Sequence, residues 1–84
     1  MKKSKFNQQV QEELNSARKK HGPMLSAHEG YAVILEELDE VWEEVKKRTK
    51  ERDMVNLYTE LIQVSAMAQK MAEDVVLPVL KNKK

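Results

Sequence analysis

Between Ala27 and Val45 the apolar residues Ala27, Tyr31, Ile34, Leu38, Val41 and Val45 recur at alternating intervals of four and three. That period belongs to one face of an α-helix and to no strand. Trp42 and Leu35 flank the stripe. "SAHE" opens it, with Ser26 placed as N-cap and Glu29 three residues later, the arrangement of a capping box. A helix over 26–48 is therefore expected.

The rest of the chain follows the same logic. Phe6, Val10, Leu14 and Ala17 share a face of a first helix over 4–20. "HGP" at 21–23 ends it, with Gly22 suited to a left-handed C′ position and Pro23 unable to continue. Leu57, Leu61, Val64, Ala68, Met71 and Val75 define a third helix over 52–77, which should stop or kink before Pro78 and leave a frayed tail at 78–84. Carrying the second stripe past Val45 puts Arg48, Arg52 and Thr59 on the apolar face, so the phase breaks near Thr49 to Asp53. The expected fold is all-α: an antiparallel helical hairpin plus an N-terminal helix in a single domain. Two long apolar stripes and one short extra helix leave an uncovered seam, which association into a dimer or tetramer would close as a four-helix-bundle core.

Composition removes several functions. With no cysteine there are no disulfides, thiolate metal sites or cysteine nucleophiles, which suits a cytoplasmic location. A net charge of +1 gives no general attraction to nucleic acid or to a membrane surface. Lys19-Lys20, Lys46-Lys47-Arg48 and Lys81 to Lys84 fall near helix C-termini, where cations complement the macrodipole. Neither His21 nor His28 has a partner at zinc spacing, and Tyr31, Trp42 and Tyr58 sit at packing intervals although each could stack a base.

"EELDE" at 36–40 and "ELIQ" at 60–63 carry the chemistry. At ~100° per residue, Glu37 and Glu40 lie on one flank of the second helix, and Glu60 and Gln63 repeat those offsets on the third. A hairpin turning near residue 50 sets Glu40 opposite Glu60 and Glu37 opposite Gln63. Carboxylates so placed repel one another unless a hard cation, magnesium or manganese, accepts their oxygens. The plainer alternative is a pair of solvated helix faces. For phosphate, Lys47 lies ~15 Å along the axis from Glu37, whereas Lys70, ~10 Å beyond Gln63, is the nearer candidate within the chain. No Gly-rich phosphate loop is present.

"EELDE" matches the EExxE motif of MazG-like proteins of the all-α nucleoside triphosphate pyrophosphatase superfamily, and "ELIQ" stands where they carry ExxD. With "SAHEGYAVILEELDEVWEEV" and "NLYTELIQVSAMAQKMAEDV", the chain resembles the compact MazG-like proteins over about residues 20 to 76. The resemblance implies magnesium-dependent hydrolysis of a nucleoside triphosphate to the monophosphate and pyrophosphate. It puts Glu37, Glu40 and Glu60 at metal-ligand positions and leaves Glu36 to orient water or a second ion. Gln63 departs from the pattern, offering a neutral oxygen where the family has a carboxylate. The rival reading is a weak or inactive MazG-like bundle that serves as a protein-interaction module. A third is an unrelated helical adaptor.

Overall fold

The computed structural model describes residues 4–82. These residues form four α-helices: α1 (Ser4–Lys20), α2 (Ala27–Val45), α3 (Met54–Met71) and a short α4 (Leu77–Asn82). A 3-10 turn at Thr49–Glu51 separates α2 from α3, and a π-helical turn at Ala72–Val76 joins α3 to α4. The chain is all-helical, with no strand among the described residues. Helix α3 is the centre, packing on α2 along one side and on α1 along another.

Local chemistry explains the boundaries. Ser26 Oγ accepts from Glu29 N at 3.0 Å, and Glu29 Oε1 in return accepts from Leu25 N at 2.8 Å. This is the capping box with its return bond one residue earlier than usual. Helix α2 ends at Val45, three residues short of the expected 48, because Arg52 reaches back to donate twice to Val45 O, at 3.0 and 2.7 Å. Asp53 then caps α3 by accepting from Asn56 N at 3.0 Å.

Gly22 does not take the left-handed conformation expected of it, for no described residue has a positive φ. Two charged side chains of the third helical segment hold that loop instead. Lys70 Nζ donates to Gly22 O and Asp74 Oδ2 accepts from Met24 N, both at 2.9 Å. Pro78 also acts differently from expectation. Lacking an N–H and crowding the carbonyl four residues back, it is accommodated by the wider π turn just before it. The helix continues to Asn82 rather than fraying from residue 78, while Lys83 and Lys84 lie outside the described residues.

The core is built from Val10, Leu14 and Ala17 of α1, Met24 of the loop, and Ile62, Ala66 and Met67 of α3. Helix α2 contributes no fully buried apolar side chain; its buried positions are Gly30 and Glu44. A Cβ on Gly30 would lie 2.7 Å from Met71 Cγ and Sδ, so a larger residue there requires the Met71 side chain to move. Leu38, expected at the middle of the core face, is 49 % exposed, and Tyr31, Leu35 and Trp42 are exposed beside it. The inward line runs instead through Gly30, Ile34, Glu37, Val41 and Glu44, keeping Ile34 and Val41 of the expected stripe but centred ~60° around the helix from it. That rotation turns Glu37 toward α3. It also leaves an apolar stripe facing out.

Candidate metal centre

Glu37 and Glu40 project from α2, and Glu60 from α3. One carboxylate oxygen from each lies within 4.8 Å of the others. Glu37 and Glu60 are half-buried and Glu40 is exposed, so the cluster opens to solvent along one side. The hairpin register expected from the turn near residue 50 thus brings these three together.

Among the described residues no salt bridge reaches Glu37, Glu40 or Glu60. Oε1 of Glu37 and Oε1 of Glu60 are buried with no hydrogen-bond partner. Each such oxygen costs about 1–3 kcal/mol of lost solvation. Burial raises the Glu37 carboxyl above its ordinary value, and the charges of Glu40, Glu13 and Glu36 push the same way. Glu60 is raised to about 7 by burial first, then by a hydrogen bond shared with Glu40 and by the charges of Glu40, Glu37 and Glu44. Three carboxylates held close from two helices, two of their oxygens buried without a donor, form a donor set suited to a hard divalent cation. The residues fit that ion.

Glu44 is close enough to bear on Glu60 but has no capacity to spare. Its carboxylate accepts from Asp53 N at 2.6 Å, Asn56 Nδ2 at 2.9 Å and Lys47 Nζ at 3.1 Å. Those bonds, that from Asp53 N foremost, hold it below the ordinary glutamate value despite burial. It pins the turn that sets the register of Glu60 against Glu40. By helical spacing Glu44 falls between Glu37 and Glu40 on the same flank of α2, a position that does not disclose its burial.

The remaining candidates fall in different places. Glu36 is exposed at the rim of a cavity that also takes in Glu37. Gln63 is half-buried and borders a shallow groove with Gln9, Glu12 and Glu13 of α1. Lys70 is not the free phosphate-binding cation expected. Its side chain is 4 % exposed, and its ammonium is bound to Asp74 Oδ2 and Gly22 O, both at 2.9 Å. Tyr58 is committed to packing, edge-on to Phe6 with ring centroids 5.6 Å apart, and its hydroxyl donates to Gln9. His21 and His28 are exposed.

Glu13 of α1 was missed. Its charge is among those that raise Glu37, so a third helix contributes to the acidic field. A signal for it exists: Glu13-Leu14, Glu37-Leu38 and Glu60-Leu61 repeat one dipeptide on three successive helices.

Comparison with protein-family models, curated proteins and solved structures finds no match to this chain. The likeness to MazG-like proteins therefore rests on the two acidic motifs and their context.

Proposed function

We propose that this chain is a magnesium- or manganese-dependent nucleoside triphosphate pyrophosphohydrolase of MazG-like type, working as a homodimer or tetramer. The observation that carries the reading is the convergence of Glu37, Glu40 and Glu60 with two buried oxygens that lack any donor. A cation held by these three carboxylates would supply positive charge that a triphosphate needs. Glu36, exposed at the rim, accepts a proton from the attacking water as the α-phosphorus–oxygen bond to pyrophosphate breaks. Because Lys70 is spoken for by Asp74, phosphate recognition falls chiefly to the cation.

Gln63 sets how well the site works. A neutral amide there leaves the acidic field weaker than an ExxD pattern would. Wild type is expected to release pyrophosphate at high manganese, and Gln63→Asp to lower the manganese concentration required. Pyrophosphate release across a panel of ribo- and deoxyribonucleotides checks this, with Glu60→Ala as the blank. Silence from wild type and Gln63→Asp alike would leave the second reading, a catalytically inactive interaction module. The exposed stripe favours that reading as well.

That stripe supports self-association. Tyr31, Leu35, Leu38 and Trp42 on α2, with Leu61 on α3, are between 41 % and 64 % exposed at helical spacing. A second copy laid on this face would complete a four-helix core. Sedimentation equilibrium at micromolar concentration should give a mass at least twice 9.8 kDa, and Leu38→Glu should return it to the monomer. A wild-type monomer contradicts the oligomer.

A further inference from the structure

Helix α4 packs chiefly on the π turn that carries it rather than on α1 or α2. Yet it is apolar. Val76 of that turn and Leu77, Val79 and Leu80 of α4 are between 41 % and 60 % exposed. At ~100° per residue they cover about 160° of the helix surface and leave Pro78, Lys81 and Asn82 on the other side. Leu25, 84 % exposed, lies at the same end of the molecule, one residue on from the Met24 amide that Asp74 holds.

That end is also basic. Glu73 and Asp74 bind Arg18, and Asp74 binds Lys70 and Met24 N, so the end of α1 and the 21–26 loop meet at the base of α4. Residues 18–29 and 70–84 carry seven cations and three anions, a net +4 with histidine neutral, whereas the whole chain is +1. Two of those anions, Glu73 and Asp74, are already paired. Among the described residues no salt bridge reaches Lys19, Lys20 or Lys81, and Lys83 and Lys84 follow in the sequence. The small overall charge thus hides a separation along the molecule.

We infer that this end docks on the surface of an anionic lipid bilayer, with the apolar face of α4 among the acyl chains and the lysines at the headgroup phosphates. Such a surface attracts a basic cluster and takes up the apolar side chains beside it. Length decides against a protein groove. A groove-bound helix offers anchors over two turns, at i, i+3 or i+4, and i+7. Here the apolar positions stop at Leu80, and Lys81, Asn82, Lys83 and Lys84 come next. A second α4 laid against the first would set lysine against lysine. The attachment is peripheral, for among the described residues no helix is long and apolar enough to cross a membrane. It requires no cation at Glu37, Glu40 and Glu60.

Co-sedimentation with vesicles at low salt tests this, comparing pure phosphatidylcholine with equal parts phosphatidylcholine and phosphatidylglycerol. Wild type is expected to bind the mixed vesicles at least about tenfold more tightly than the pure ones, and to come off them as salt is raised. Leu80→Ser should weaken that binding about tenfold, the scale of one buried leucine, and Lys81→Gln about fivefold. Both side chains are exposed, so both variants should melt with wild type. Absence of binding, equal binding to the two kinds of vesicle, or a Leu80→Ser variant that binds as wild type does would each overturn the inference. So would a sedimentation mass that Leu80→Ser lowers without vesicles present, since α4 would then be a contact between copies.

Discussion

Asp74→Ala is expected to destabilise the protein by about 3 kcal/mol, the scale of removing one partner from a buried ion pair. Asp74 is 7 % exposed, and its two oxygens take Arg18 Nη1 at 2.7 Å, Lys70 Nζ at 2.9 Å and Met24 N at 2.9 Å. Burial alone would raise its carboxyl, but the bonds from Met24, Lys70 and Arg18 outweigh it and bring the value down to about 2. This one side chain ties the end of α1, the 21–26 loop and the π turn together. Its loss strands Lys70 as a buried cation beside Gly22 O. For a domain of this size such a loss is a large share of the total stability. Urea denaturation measures it, with Glu73→Gln as the comparison, since Glu73 meets the same arginine at an exposed position and its loss should change little. A midpoint for Asp74→Ala equal to wild type would show that the clamp does not hold the loop.

The second large effect is on pH. Glu60 titrates at about 7 in the folded chain against 4.5 for an ordinary glutamate. Below pH 4.5 both states keep the proton. Between 4.5 and about 7 the unfolded chain releases it while the folded chain retains it, so the unfolded state binds fewer protons and stability falls as pH rises. The raised Glu37 adds to the fall. Asp74, Glu44 and Glu73 are shifted down, so their stabilisation is present above their ordinary values and is lost only in more acid solution. With solvent screening allowed for, the metal-free protein should lose about 2 kcal/mol across this window. Glu60→Gln should flatten the curve. A wild-type stability that rises from pH 5 to 7.5 would contradict the account.

How far the sequence discloses the fold can be judged on α2. Its stripe and its capping residues specify a helix and nearly its start, because both depend on neighbours in sequence. They do not specify which way the helix faces. Leu38 centres the apolar stripe, yet Glu37 faces inward, on the side of α2 where Gly30 packs against Met71 and Glu44 is bonded across the turn. Those are tertiary contacts, invisible to periodicity.

The site was more legible than the packing. Hairpin register follows from the position of the turn, so Glu40 opposite Glu60 could be read by counting. Lys70 could not, because its partner Asp74 lies one turn on, and its burial comes from the loop folding over it. Glu13 went unseen because α1 was read only for its apolar face.

Whether Glu37, Glu40 and Glu60 bind a divalent cation is read from the melting temperature of the purified protein during a manganese or magnesium titration at pH 8, above the value of about 7 for Glu60. Preferential binding to the folded state at a hundredfold excess over Kd contributes about 2.7 kcal/mol, which for a domain of this size is a rise of about 15 °C. Glu40→Gln should melt as high as metal-free wild type, or slightly higher with one repulsive charge removed, and should not respond to either ion. A wild-type melting temperature unmoved by millimolar manganese and magnesium, or a rise that Glu40→Gln shares in full, would contradict the claim.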